Sequence, residues 1–157
     1  MRESVVIPES HKRVLVVDDD QGVRHLLTSV LRQRSLTVDE AFDGREALAL
    51  IREHQYSVIL LDLLMPIADG FEVLEALARA ENLGSPPVVL VLTGADNRVI
   101  DRVDSQHVHG IIRKPFDPEE IASLVFACTE VKGRNAFGTM ALATMMTGAP
   151  LLALLKL

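Results

Sequence analysis

Short apolar runs alternate with amphipathic stretches along most of the chain. The runs at residues 14–17, 58–61 and 88–92 are apolar at every position, which is typical of parallel strands covered by helices on both faces. Weaker apolar segments at 36–41 and 108–113 are typical of strands at the edges of such a sheet. The pattern therefore predicts five strands.

Amphipathic segments between these runs predict five helices. The first segment places five aliphatic residues on one helical stripe: Val23, Leu26, Leu27, Val30 and Leu31. The last segment repeats that spacing after the turn-forming pair Asp117–Pro118, at Ile121, Leu124, Val125 and Cys128. Shorter helices are predicted at residues 44–53 and 71–80, and a weakly apolar helix at 96–106.

Strands that alternate with helices imply right-handed crossovers and an α/β fold with a doubly wound parallel sheet. We expect a flavodoxin-like five-stranded sheet of order 2-1-3-4-5, with the first and third strands as neighbours. Ligands bind such sheets at the carboxyl ends of the strands, where the strand order reverses. The residues that the sequence places at these ends carry a charge or a hydroxyl group: Asp18, Asp19, Asp20, Asp62, Thr93 and Lys114.

Carboxylates from the first and third strands would lie side by side at this edge. Like charges at short range repel each other in a crevice of low dielectric, so a cation is needed to hold them together. Oxygen ligands favour a hard ion of octahedral habit, which predicts Mg²⁺. Lys114 and Thr93 add an ammonium and a hydroxyl group, a combination that suits a phosphoryl group. Asp62 would stand between the metal ligands and these two residues, which predicts that it is the nucleophile and forms an aspartyl phosphate.

Five motifs in register resemble the receiver domain of bacterial two-component response regulators, the CheY-like superfamily. In chain order they are Asp18-Asp19, Asp62, Met65-Pro66-Ile67-Ala68-Asp69-Gly70, Thr93-Gly94 and Lys114-Pro115-Phe116. The resemblance covers about residues 12–130, preceded by an N-terminal extension at 1–11 and followed by a tail at 131–157. It implies a phosphorylation-dependent signalling switch of a two-component or phosphorelay system.

The resemblance also implies roles for the residues at the sheet edge. Asp62 would accept a phosphoryl group from a histidine kinase or a histidine phosphotransfer domain. Asp18, Asp19 and Asp62 would hold Mg²⁺, with the backbone carbonyl of Leu64 as a further ligand. The phosphorylated protein would then control a downstream protein target. It would catalyse only its own phosphorylation and dephosphorylation.

The fourth and fifth strands would complete the site. Thr93 and Lys114 would bind the phosphoryl oxygens, and the Lys114–Pro115 peptide bond would be cis. Two positions depart from the family pattern. Ile111 stands three residues before the lysine, where receivers usually carry an aromatic ring that moves inward when the threonine moves. An isoleucine cannot make that exchange, so the switch either is lost or uses the weakly apolar helix predicted from Asp96. Leu64 and Ala95 flank the approach of a hydrolytic water, and neither side chain can orient one, which predicts slow self-dephosphorylation.

Several polar residues have simpler interpretations. Asp20, Asp69 and Asp117 are predicted to cap or turn the chain at helix starts. Cys128 lies on the apolar stripe of the last helix, so we expect a small core residue and not a reactive thiol. Of the five histidines only His107 and His109 are close together, which is too few for a metal site.

Composition and charge narrow the choice of function and partners. The 157 residues carry a net charge of −6, and the part up to Glu130 holds all 22 acidic residues against 13 basic ones, a net charge of −9. An acidic body argues against direct nucleic-acid binding by this domain. A single cysteine excludes a disulfide framework and favours a reducing compartment, so we expect a cytoplasmic protein.

The tail carries no charge from Asn135 to Leu155 and is long enough to cross a bilayer. Gly138, Gly148 and Pro150 interrupt it, which weighs against a membrane anchor. A helix that docks on a partner or on a second copy, and a passive extension, are the alternatives. A homodimer would form through this tail or through the face made by the fourth helix, fifth strand and fifth helix.

Three other functions compete with the signalling switch. Mg²⁺-dependent phosphohydrolases with an aspartyl phosphate place a second aspartate two residues after the nucleophile, where this chain has Leu64. Flavin-binding modules of the same topology cradle phosphate in a Ser/Thr-rich first loop, and the aspartates at residues 18–20 would repel it. A receiver severed from a larger regulator or hybrid kinase stays open as an alternative.

Overall fold

The computed structural model describes residues 12–66, 69–80, 85–104 and 106–134. Within these ranges five parallel strands form one sheet, in the spatial order β2-β1-β3-β4-β5. The strands are β1 (Arg13–Val17), β2 (Thr37–Ala41), β3 (Val58–Leu61), β4 (Val88–Thr93) and β5 (Gly110–Arg113). The predicted fold class and strand order are confirmed.

Helices connect successive strands and cover both faces of the sheet. They are α1 (Gln21–Gln33), α2 (Gly44–Glu53), α3 (Gly70–Arg79), α4 (Asn97–Ile100) and α5 (Pro118–Arg134). The predicted caps are confirmed: the Asp20 carboxylate accepts hydrogen bonds from the first turn of α1, Asp69 does so for α3, and Asp117 accepts from the amide of Glu119. These caps fix where each helix starts relative to the strand before it.

Two apolar layers pack against the sheet, one on each face. Alternate residues of every strand point to opposite faces, so the all-apolar strands contribute side chains to both layers. The layer beneath α1 and α5 includes Val14, Val16, Leu27, Leu31, Leu60, Leu90, Ile121, Val125 and Cys128. The layer beneath α2 and α3 includes Leu15, Val17, Ala47, Ile59, Leu61, Val73, Leu77 and Val91. Cys128 is fully buried, which confirms its predicted place in the core.

The helix predicted at residues 96–106 is much shorter in the structure. Regular helix ends at Ile100, and hydrogen bonds from Arg102 to Val99 and from Val103 to Ile100 close tighter turns instead. With only three large apolar residues, the segment lacks a stripe long enough to hold a longer helix on the sheet. The guanidinium of Arg102 lies 4.7 Å from the ring centre of Phe71 and ties these turns to α3.

Smaller differences concern the ends of other elements. β2 starts one residue later than predicted and β5 two residues later, at Gly110. α5 continues to Arg134, past residue 130, where the predicted receiver ended and the predicted tail began.

A polar network joins β1, β2 and the residues before β3. The Arg13 Nε donates to Asp39 Oδ2 at 2.7 Å, and the Tyr56 hydroxyl donates to the same oxygen at 2.8 Å. Although burial opposes ionisation, these hydrogen bonds hold the pKa of the Asp39 carboxyl below its usual value. Burial and the hydrogen bond to Asp39 raise the pKa of the Tyr56 phenol.

Among the described residues, no helix is both long enough and apolar enough to cross a bilayer. The predictions made for the N-terminal extension and for the uncharged span of the tail concern residues 1–11 and 135–155, which lie outside the described ranges.

Candidate functional site

Asp18 and Asp62 follow the neighbouring strands β1 and β3 at the carboxyl edge of the sheet. The backbone amide of Asp62 donates to the carbonyl of Val17 at 2.9 Å, which continues the β1–β3 pairing one residue past β3. The register therefore fixes the two aspartates next to each other. Asp18 is 1% exposed and Asp62 6% exposed, whereas Asp19 is exposed.

Three carboxylates converge at this point. Asp18, Asp19 and Asp62 each place one carboxylate oxygen within 4.8 Å of the others. An all-oxygen, anionic donor set with one solvent-exposed member fits a hard divalent cation that keeps several waters, as Mg²⁺ does. The sequence-based prediction brought these same three residues together, and the structure gives them the proximity that a shared ion needs.

Lys114 reaches into the cluster from the end of β5. Its Nζ lies 2.6 Å from Asp18 Oδ2 and 3.0 Å from Asp62 Oδ2. Its backbone amide donates to the carbonyl of Thr93 at 3.0 Å, and the Lys114–Pro115 bond is cis, as predicted. The Lys114 side chain therefore extends along the carboxyl edge of the sheet, from the end of β5 to the aspartates after β3 and β1.

Burial and the Lys114 ammonium act in opposite directions on the pKa of the Asp62 carboxyl. Burial raises the pKa of the Asp62 carboxyl, and the neighbouring Asp18 raises it further, while the Lys114 ammonium and the amide of Leu64 partly offset both effects. The ammonium is itself desolvated, but its hydrogen bonds to Asp18 and Asp62 raise the pKa of Lys114. The lysine therefore stays charged and compensates the two buried carboxylates.

Thr93 is fully buried at the end of β4. Its Oγ1 accepts a hydrogen bond from the amide of Ala95 at 3.0 Å, within its own loop. The amide of Leu64 donates to Asp62 Oδ1 at 3.2 Å, and the Leu64 side chain is 52% exposed. The phosphoryl-binding role of Thr93 and the metal-ligand role of the Leu64 carbonyl stay predictions.

Two arginines support the site and were not identified from the sequence. Arg24 Nη1 donates to the carbonyls of Asp18 at 2.7 Å and Asp19 at 3.1 Å, and so fixes the backbone that carries the metal-ligand candidates. Arg113 Nη1 donates to the carbonyl of Ala95 at 2.5 Å, in the loop after Thr93. The signal for Arg24 was its position four residues after the Asp20 cap, on the turn that faces the acidic loop.

Ile111 lies in β5, half-buried, and pairs in register with Val91. Its side chain packs against the layer beneath α2 and α3, together with Val99 and Val103 from α4 and the turns after it. Ile111, at the position where the family usually carries an aromatic ring, is therefore a half-buried aliphatic side chain that packs beside α4.

The strand order and the acidic cluster with its lysine define a doubly wound α/β domain with three carboxylates that could share a hard cation at its switch point. The family model for the response regulator receiver domain matches residues 14–126. The chain belongs to this family, which confirms the resemblance found from the motifs.

Curated relatives support the same assignment. The transcriptional regulatory protein SrrA of Staphylococcus aureus is 35% identical over 114 residues, which cover 73% of this chain and 46% of SrrA. The probable transcriptional regulator ycf29 of Porphyra purpurea is 32% identical over 114 residues, which cover 71% of this chain and 54% of that protein. The chain thus spans about half the length of the curated relatives it matches.

Solved structures agree with the fold. The response regulator TrrA of Thermotoga maritima, in complex with Mg²⁺ and a beryllium fluoride, superposes with a TM-score of 0.64 at 27% identity, covering 74% of this chain and 98% of that one. The chain is therefore a receiver domain of the two-component type.

Proposed function

We propose that this chain is a phosphorylation-dependent switch in which Asp62 accepts a phosphoryl group from a histidine kinase or a histidine phosphotransfer domain. The observation that carries the proposal is the position of Asp62. It lies within one carboxylate cluster with Asp18 and Asp19, and 3.0 Å from the ammonium of Lys114. A nucleophile flanked by cation ligands and a fixed ammonium group suits phosphoryl transfer, because that reaction depends on positioning and on charge neutralisation.

The transfer forms one bond and breaks one. An Asp62 carboxylate oxygen attacks the phosphorus of a phosphohistidine, a new P–O bond forms, and the P–N bond to the imidazole breaks. The imidazole nitrogen keeps the electron pair of that bond. The Lys114 ammonium, which pairs with Asp62 and Asp18 in the unmodified protein, then pairs with an oxygen of the bound phosphoryl group.

Asp18, Asp19 and Asp62 would hold Mg²⁺, with the carbonyl of Leu64 as a further ligand. When bound, the ion neutralises charge on the phosphoryl oxygens. Thr93, at the end of the neighbouring strand β4, would donate its hydroxyl hydrogen to a phosphoryl oxygen. The hydroxyl oxygen accepts from the amide of Ala95, which leaves the hydroxyl hydrogen to be donated.

The output is proposed to be control of a partner protein. SrrA and the Porphyra protein are named as transcriptional regulators, and this chain spans about half of each. The acidic balance of the sequence favours a protein partner over direct contact with nucleic acid. A homodimer through α4, β5 and α5 is one form that such control could take. Leu64 provides no acid or base for a separate substrate, so we favour a switch over a phosphohydrolase.

Intact-mass analysis after incubation with acetyl phosphate and Mg²⁺ tests the proposal. We expect one added phosphoryl group on the wild type and none on Asp62→Asn. Asp101→Asn, which changes an exposed aspartate at the end of α4, is the matched control and should label fully. Full labelling of Asp62→Asn, or labelling of the wild type that does not depend on Mg²⁺, would overturn the assignment.

A further inference from the structure

Arg113 bridges β5 to the loop that follows β4. It is the last residue of β5 and the register partner of Thr93. Its half-buried guanidinium donates through Nη1 to the carbonyl of Ala95 at 2.5 Å and through Nη2 to the side-chain oxygen of Asn97. One side chain therefore spans from the end of the sheet, past Thr93, to the first residue of α4.

The other contacts of the loop at residues 94–96 differ from one residue to the next. The Thr93 carbonyl accepts from the Lys114 amide at 3.0 Å, and the Thr93 hydroxyl oxygen accepts from the Ala95 amide at 3.0 Å. At Gly94 an added Cβ would meet no atom within 4 Å, so packing does not restrain the loop there. Ala95 is buried and Asp96 accepts from the amide of Val99, and the Arg113 bonds add a side-chain link between this loop and β5.

The same loop follows Thr93, the residue proposed to engage a phosphoryl group on Asp62. A shift of the Thr93 hydroxyl toward Asp62 strains its bond to the Ala95 amide, and the Ala95 carbonyl belongs to the residue that Arg113 holds. A movement of this turn would therefore change the hydrogen bond between the Arg113 guanidinium and the Ala95 carbonyl. Ile111, two residues before Arg113, is aliphatic and has no polar group that could form or break a hydrogen bond.

We propose that Arg113 is a positioning residue that latches the β4–α4 loop in the unmodified protein and couples occupancy of Asp62 to the start of α4. The proposal rests on the proposed function and deepens it, since it names the regulatory link of the same site. In a chain without an aromatic residue at Ile111, this polar link carries the signal from Thr93 to α4.

Amide hydrogen exchange measures how firmly Arg113 holds the β4–α4 loop. The amides of Val99, Ile100 and Asp101 are hydrogen-bonded in the structure, so they have protection to lose. In the unmodified protein, we expect these amides and that of Ala95 to exchange about tenfold faster in Arg113→Gln than in wild type, since charged donors form the stronger hydrogen bonds. Asn97→Ala, which removes only the second acceptor, should give a smaller increase.

The coupling is measured with Mg²⁺ and beryllofluoride as a stable phosphoryl mimic. In wild type, we expect the mimic to raise exchange of the same loop and α4 amides. In Arg113→Gln the loop is already released, so the mimic should add less than about twofold. Arg98→Gln removes an exposed arginine from α4 itself and is the matched control; both its exchange in the unmodified protein and its response should match wild type.

Three results would overturn the proposal. They are loop exchange in Arg113→Gln within about twofold of wild type, a full wild-type response of Arg113→Gln to the mimic, and faster exchange spread equally over β1 and β3, which would show a merely structural role. Failure of the proposed function is distinguishable. It would appear as absent labelling of Asp62 in wild type, whereas the latch is measured in the unmodified protein.

Discussion

The backbone of Asp62 leaves no room for a side chain at Gly70. A Cβ built on Gly70 would overlap the carbonyl oxygen of Asp62 and lie 2.8 Å from the Cα of Leu63. The amide of Gly70 also donates to the carbonyl of Leu63 at 3.0 Å. This bond holds the start of α3 against the backbone that follows Asp62, the candidate phosphoacceptor. The glycine is therefore required by close approach of two backbones.

Gly70→Ala should displace the Asp62 backbone and destabilise the fold. Because the contacting atoms are backbone and cannot rotate away, we expect the free energy of unfolding to fall by about 1–3 kcal/mol. Asp62 labelling by acetyl phosphate should slow as well. Gly94→Ala is the stability control, because its Cβ would meet nothing within 4 Å. Urea denaturation curves that coincide for wild type and Gly70→Ala would contradict this account.

The sequence predicted the sheet and most of the site because both depend on local patterns. All-apolar runs mark strands covered on both faces, and the first polar residue after each run marks the carboxyl edge, where parallel strands bring Asp18 and Asp62 together. Arg113 was missed for the opposite reason. The bonds of Arg113 to Ala95 and Asn97 depend on the path of an irregular loop, which no periodicity specifies. The short α4 was missed because weak amphipathicity does not set helix length.

Asp18 and Asp19 are adjacent in the sequence but should respond oppositely to neutralisation. Asp19 is exposed and adds repulsion to the cluster, so Asp19→Asn should raise the metal-free free energy of unfolding by up to about 1 kcal/mol. Asp18 is buried and bonded to Lys114, so Asp18→Asn should lower it by about 1–3 kcal/mol. Both variants should lose much of the stabilisation by Mg²⁺.

Urea denaturation with a chelator and with Mg²⁺ measures both quantities for these variants. The hypothesis of a shared cation site fails if Asp19→Asn keeps the full increase in stability that Mg²⁺ gives to wild type.

Tyr56 is the only tyrosine and the chain has no tryptophan, so its ionisation can be followed by ultraviolet absorbance. Burial, with the hydrogen bond to Asp39, raises the pKa of the phenol above its ordinary value of 10.0. The folded state therefore favours the neutral phenol. Its contribution to stability is complete below about pH 10 and is lost as the pH rises further, because the unfolded chain ionises first.

We expect tyrosinate to form at a higher pH in the native protein than in denaturant. Asp39→Asn removes a negative acceptor next to the phenol and should lower the native onset by about one pH unit, while burial keeps it above the denatured value. Asp101→Asn should leave the onset unchanged. Equal onsets in native and denatured wild type would show that the Tyr56–Asp39 bond does not control this titration.

Leu64 is expected to set how long the phosphoryl group survives on Asp62. Hydrolysis of an aspartyl phosphate needs a water in line with the phosphorus, and the side chains of Leu64 and Ala95 offer no hydrogen bond to orient one. The two positions differ in the structure: Leu64 is 52% exposed and can accept a polar side chain, whereas Ala95 is 3% exposed and a larger residue there would disturb the Thr93 loop. Substitution at Leu64 alone is therefore the clean test.

Leu64→Asn should speed dephosphorylation about tenfold, which corresponds to roughly 1.4 kcal/mol of activation free energy. The measurement is phosphate release from purified phosphoprotein after removal of the phosphodonor. Leu26→Asn makes the same change at another exposed leucine, 49% exposed on α1, and should leave the rate at the wild-type value. Because the amide of Leu64 and not its side chain bonds Asp62, labelling itself should survive the substitution. Equal rates for Leu64→Asn and wild type would show that water orientation at this position does not limit the lifetime.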